Sequence, residues 1–217
     1  MTADEERGQL DLVVLVADQD QEFAIRGLLA ARAADLRMRP VTTTTFRHPQ
    51  RDPGCRKGAT EFLRGFLRSS AHALVVFDHH GSGAHADAAA EVEAAVETTL
   101  SRNGWSERSA CIVIEPELEN WVWSDSPEVD RIVGWNADAL PGARLRDWLA
   151  ARGHWTSGRA KPADPKAALR AALREVRRQP SASLFEDLAE RVPLQGCSDR
   201  AFLKLCSTLR TWFPCTA

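Results

Sequence analysis

The sequence predicts an α/β fold: a parallel four-stranded sheet flanked by helices, with a helical subdomain toward the C-terminus. Three observations predict it. Residues 11–17 (DLVVLVA), 74–77 (LVVF) and 110–115 (ACIVIE) are apolar at nearly every position, as strands buried on both faces must be. Helical patterns separate the strands in the order β-α-β-α-β-α-β, and that alternation belongs to parallel sheets with crossover helices. From Glu117 onward the pattern is helical with short breaks. The α/β domain is placed at residues 10–125 and the helical subdomain, packed on it, at 126–217.

Each element has a local reason. Residues 1–9 are polar, and the first strand follows them. Asp18 stands as the N-cap of a helix to about residue 34, with Gln21 in the capping-box position. Phe23, Ile25, Leu28 and Leu29 point that helix toward the sheet. Residues 37–46 carry Val41 and four threonines and read as the second strand, near an edge because Pro40 cannot donate to a ladder. Two prolines and a glycine make residues 47–57 (RHPQRDPGCRK) a loop. Residues 60–69 read as a helix, 74–77 as the third strand and 84–102 as an alanine-rich helix closed by Asn103 and Gly104. Residues 110–115 are the fourth strand. Ser126 caps a helix with Pro127 at its first position, Pro141 opens the next, and Asp164 with Pro165 opens another. Ser183 and Glu186 form a capping box, and Ser198 or Asp199 caps the last helix.

Composition narrows the partners. The 217 residues carry a net charge of -2, so the whole-chain balance does not advertise nucleic-acid binding and local clusters must carry that case. The five cysteines are scattered without a Cys-x-x-Cys pair, which fits reduced thiols in the cytoplasm. No apolar run approaches a membrane span, and the acidic N-terminal stretch lacks a signal-peptide pattern. The expectation is a cytoplasmic protein with no membrane partner.

The chemistry gathers where the strands end. The first ends on Asp18, with Glu22 beyond; the third on Asp78, His79 and His80; the fourth on Glu115, Glu117 and Glu119. In a parallel sheet these ends share one edge, the edge at which open α/β sheets bind ligands. Asp78 and His80 share a side if the chain is still extended, and Glu115 and Glu117 have the same spacing. Carboxylates gathered at one edge repel one another unless protons or a cation neutralise them. Such an oxygen-rich set suits Mg²⁺ or Mn²⁺ and metal-assisted attack on phosphoryl groups. Asp18 also reads as a plain N-cap, and Glu22 and Glu119 as solvated helix positions. Trp121 and Trp123 follow the acids, and at least one should shield them. Lys166, Arg170, Arg174 and Arg177 form a cationic stripe along one helix, either a solvated face or a phosphate contact. Lys161 and Lys166 sit in the loop and first turn of that helix, where its dipole favours anions. The cationic loop of Arg47, His48, Arg51, Arg56 and Lys57, expected to rim the same edge as the acids, is a second candidate for phosphate contact.

At these residues the chain resembles the TOPRIM-like group of topoisomerases, primases and nucleases, over about residues 11–125. That group has a glutamate after the first strand and Asp-x-Asp after the third, which hold Mg²⁺ for phosphodiester chemistry. Here Ala17 stands at the glutamate position, with Asp18 next and Glu22 beyond, and His80 stands at the second aspartate. The segments VADQDQEFAIRGLLA, HPQRDPGC, FDHHGSG, EPELENWVW, KPADPK and FLKLCSTLRTWFP resemble a bacterial family of methylation-associated defence system proteins, over about residues 12–214. The resemblance implies an anti-phage component acting beside other defence-system proteins on DNA or RNA. It implies a Mg²⁺- or Mn²⁺-dependent nuclease or phosphoryl-transfer protein in which Asp78 carries over. With the acids at the other strand ends, the expected catalytic set is Asp78, Glu115 and Glu117. Asp78, His80, Glu115, Asp18 and Glu22 would ligate the metal, and Lys161, Lys166 and Arg51 would bind phosphate. The alternative is a non-catalytic protein that binds nucleic acid or a partner through a degenerate site. A small-molecule phosphatase or nucleotide-processing enzyme is a third reading.

Overall fold

The computed structural model describes residues 10–136 and 144–215; the polar lead and Pro141 lie outside the described residues. Strands β1 (Leu10–Val16), β2 (Thr43–Arg47), β3 (Ser70–Asp78) and β4 (Ser109–Ile114) form one all-parallel sheet in the order β2-β1-β3-β4. The α-helices of the described residues are α1 (Gln19–Ala31), α2 (Arg51–Leu63), α3 (Ala89–Leu100), α4 (Glu119–Val122), α5 (Pro127–Val133), α6 (Leu145–Ala151), α7 (Pro165–Glu175), α8 (Ala182–Arg191) and α9 (Arg200–Trp212). None is long and apolar enough to cross a membrane.

Strand alternation sorts the core into two layers. Leu12, Val14, Val16, Leu74, Val76, Ile112 and Ile114 pack with α1 and the helices from α4 onward. Val13, Leu15, Ala73, Val75, Phe77, Cys111 and Val113 pack with α2 and α3. The apolar residues of α5 to α9 thus share one core with the sheet. Close helix contact on that side runs through Gly27, where a Cβ would lie 2.9 Å from the Glu186 carbonyl of α8.

Several boundaries differ from expectation for local reasons. Of the stretch expected as a loop at 47–57, Arg47 ends β2 and residues 51–57 start α2. Pro53 sits in its first turn, where backbone N–H groups have no intrahelical acceptor to lose. Gly54 and Gly58 give the helix a bare flank that receives His48, since a Cβ at Gly54 would lie 1.9 Å from the imidazole Nδ1. The helix expected from residue 84 starts at Ala89, because the residues after β3 form successive turns. The capping box at Gln21 is not formed: its Oε1 accepts from the Ala17 N–H, one residue upstream of the cap. Ser181, rather than Ser183, is the N-cap of α8. Asp18, Ser126, Asp164 and Asp199 cap their helices through side-chain oxygens.

One sheet edge is sealed by side chains. Glu93 and Glu97 of α3 accept from the backbone N–H groups of Val113 and Cys111, and Arg200 of α9 donates to the Val113 carbonyl. Two outward-facing N–H groups and one carbonyl of β4 thus find partners without a fifth strand.

Candidate metal centre

The strand order creates the crevice. The chain leaves β1 into α1 on one face of the sheet and leaves β3 toward α3 on the other. The gap between the C-terminal ends of β1 and β3 is therefore the switch point at which open α/β sheets receive ligands. Asp18 follows β1, Asp78 ends β3, and the segment after β4 carries Glu117 and Glu119. Oxygens of Asp78, Glu117 and Glu119 all lie within 4.8 Å of one another.

Polar contacts hold these acids in place. Asp52, in the first turn of α2, accepts the Asp78 backbone N–H through Oδ1 at 2.8 Å. That approach needs Gly81, where a Cβ would fall 2.3 Å from Asp52 Oδ2. Gln21 Nε2 donates to Asp78 Oδ1 at 2.9 Å. Lys166 lies 3.0 Å from Glu117 and 3.3 Å from Glu119. Asn120 and Trp121 both donate to Asp199, which fixes the segment carrying the two glutamates to the N-terminus of α9.

The electrostatics follow from crowding. Burial, then the charges of Asp52, Glu119 and Asp18, push the Asp78 carboxyl well above the usual aspartate range, with Lys166 opposing. Burial raises Asp52 and Glu119 as well. Burial disfavours the Lys166 ammonium, but Glu119 and Glu117 outweigh it and hold the lysine above its ordinary value. One lysine faces more carboxylates than it can neutralise, so the site favours a proton or a cation.

The donor set is all oxygen, as Mg²⁺ and Mn²⁺ prefer. At Mg²⁺–oxygen distances of 2.0–2.1 Å, opposed ligand oxygens stand about 4.2 Å apart. The three carboxylates, all within 4.8 Å of one another, are close enough for one cation to draw them together. No thiol belongs to the group of three: Cys55 and Cys111 are buried, and burial first, then neighbouring carboxylates, raise both thiols.

The site residues named from the sequence divide. Asp78 and Glu117 are brought together, and Asp18 lies near enough for its charge to act on Asp78 and Asp52. Glu115 is exposed and stands outside the group of three. His80 is exposed, its ring packed edge-on against His85 at 5.9 Å. His79 contacts the Asp87 carbonyl through Nε2. Glu22 pairs with Arg47 at 3.0 Å. Lys166 binds the acids themselves, Lys161 donates to the Asn120 carbonyl, and Arg51 is exposed at the start of α2. Trp123 is buried and bonds to the Pro165 carbonyl. Arg170 and Arg174 lie exposed on α7, and Arg177 falls beyond its end.

Sequence reasoning missed Asp52, Gln21 as a side-chain donor, and Glu119 as a site residue. Asp52 stood inside the stretch read as a loop. Glu119 had a legible signal in its two-residue spacing from Glu117. No family model, curated protein or solved structure matches the chain.

Proposed function

We propose that this chain is a divalent-metal-dependent phosphoryl-transfer protein with a TOPRIM-like core, cutting phosphodiester bonds in DNA or RNA. The observation that carries the reading is the convergence of Asp78, Glu117 and Glu119 at the switch point, with Asp52 and Asp18 beside them. Those first three side chains would hold Mg²⁺ or Mn²⁺. When bound, the metal supplies a Lewis acid for a phosphoryl oxygen and lowers the pKa of coordinated water. Gln21 and Asp52 hold Asp78 in register, through its carboxylate and its backbone N–H respectively. The wider assignment, a cytoplasmic component of a bacterial anti-phage system acting beside other defence proteins, rests on the sequence resemblance.

A second reading has its own observation. Lys166 already bridges Glu117 and Glu119, so its ammonium can stand in for the cation of a site that binds nucleic acid or a partner without cutting. Calorimetric titration with Mn²⁺ and incubation with labelled single- and double-stranded DNA and RNA separate the two. Metal uptake with cleavage that Asp78→Ala abolishes supports the first. Salt-sensitive binding without cleavage supports the second. Absence of Mn²⁺ and Mg²⁺ uptake rejects the metal-dependent reading.

A further inference from the structure

Cations around the acidic crevice are mostly consumed inside the protein. Lys166 is held by Glu117 and Glu119, Lys161 by the Asn120 carbonyl, and Arg47 by Glu22. Arg56 is different. It is half-buried, and its Nε is sealed from solvent with no hydrogen-bond partner. Its guanidinium makes no hydrogen bond or ion pair with any described residue. The other half-buried arginines among the described residues, Arg32, Arg39, Arg108, Arg146 and Arg178, all donate to protein oxygens.

The position of this arginine gives the orphan charge a meaning. Arg56 lies one helical turn beyond Asp52 on α2, so the two side chains leave the same flank. Asp52 does not neutralise it, because that carboxylate reaches the Asp78 N–H and packs against Gly81. Arg56 reaches the same turn two residues on: its Nη2 lies 3.7 Å from where a Cβ of Gly83 would stand. Gly83 adopts φ +72°, a conformation that favours glycine. The N–H groups of Gly81 and Gly83 engage no acceptor among the described residues. The sealed Nε is desolvated without a hydrogen bond in return, while the terminal nitrogens of the fork stay available to an anion. The planar fork of arginine matches the oxygens of a phosphate.

We infer that Arg56 and the Gly81–Gly83 turn form an oxyanion subsite that takes a phosphate group of the substrate beside the acidic centre. The inference rests on the phosphoryl-transfer reading for its ligand but uses none of the proposed metal ligands. It assigns the acids to the cation and Arg56 to the phosphate, on two sides of the turn that follows Asp78.

The test is calorimetric titration of the full chain with inorganic phosphate, in Mg²⁺ and again in EDTA. It compares the parent with Arg56→Met, Arg56→Lys and the surface control Arg64→Met. The subsite predicts at least about tenfold weaker phosphate binding for Arg56→Met, a smaller loss for Arg56→Lys, and none for Arg64→Met. Mg²⁺ titrated alone should bind Arg56→Met as it binds the parent. Thermal melts establish that the variants fold, and if Arg56→Met does not, Arg56→Lys decides: phosphate binding equal to the parent's overturns the subsite. Parental phosphate binding by a folded Arg56→Met, or none by the parent in either buffer, also overturns it. Arg56-dependent phosphate binding in a chain that takes up no Mg²⁺ upholds the subsite and removes the metal reading instead.

Discussion

Asp78→Asn should make the metal-free protein more stable while weakening Mn²⁺ binding. Oxygens of Asp78, Glu117 and Glu119 lie within 4.8 Å of one another. At an effective dielectric constant near 20, each ionised pair at that distance repels by about 3.5 kcal/mol. Two of the three pairs involve Asp78. Lys166 and partial protonation already relieve part of this, so the expected net gain is about 1–3 kcal/mol. For a chain of this size that is a rise in Tm of roughly 3–10 °C. Asparagine keeps the oxygen that accepts from Gln21, so the loss of charge is tested rather than the loss of a contact. The pH dependence supplies an internal control. A carboxyl raised above its unfolded value of 3.8 holds its proton longer when folded, so its contribution is fully present below that value. Stability then falls as pH climbs toward the folded value. The assay is thermal unfolding in EDTA at pH 4 and pH 7.5, with Mn²⁺ calorimetry at the higher pH. The variant's advantage should be present at pH 7.5 and shrink at pH 4. A variant that melts below the parent at pH 7.5, or a gap that ignores pH, refutes the account of Asp78 as a crowded, functionally retained acid.

Lys166→Met should tighten Mn²⁺ binding by about tenfold or more, since the ammonium 3.0 and 3.3 Å from Glu117 and Glu119 competes with the metal for those carboxylates. Weaker calorimetric binding would mean that the lysine instead holds the glutamates in place. Gly81→Ala puts a Cβ 2.3 Å from Asp52 Oδ2 and should cost about 1–3 kcal/mol by urea denaturation, with a matching loss of Mn²⁺ affinity. Unchanged affinity would detach Asp52 from the site. Glu93→Ala removes the acceptor of the buried Val113 N–H and one partner each of Arg200 and Lys204, which keep the Val113 carbonyl and Glu97. The change should cost about 1–3 kcal/mol. Because it also unseals the β4 edge, light scattering should detect association that the parent lacks. A variant as stable and monodisperse as the parent would show that water satisfies the edge equally well.

The sequence by itself determined the strands, the parallel class and the acids at their ends. Runs such as 74–77 are apolar on successive residues, and only a strand covered on both faces gives every position an apolar neighbour. Helix starts at Asp18, Ser126, Asp164 and Asp199 were legible because capping is local chemistry between residues two or three apart. Strand order is not local, and it decides which acids meet. The sequence put Glu115 ahead of Glu117 as a ligand, but the turn after β4 leaves Glu115 exposed and carries Glu117 and Glu119 to Asp78. It offered His80 beside Asp78, yet the chain turns there, and the imidazole packs on His85. Asp52 was hidden for a further reason, and Arg56 was legible only as one of several loop cations. Pro53, Gly54 and Gly58 carry the signature of a loop, and only the packed structure shows those glycines as room for His48 within a helix. Propensity belongs to a residue and its sequence neighbours, whereas a shared charge site belongs to chains that meet in space. The acids therefore appeared in the sequence as separate strand ends, and tertiary packing made three of them one group.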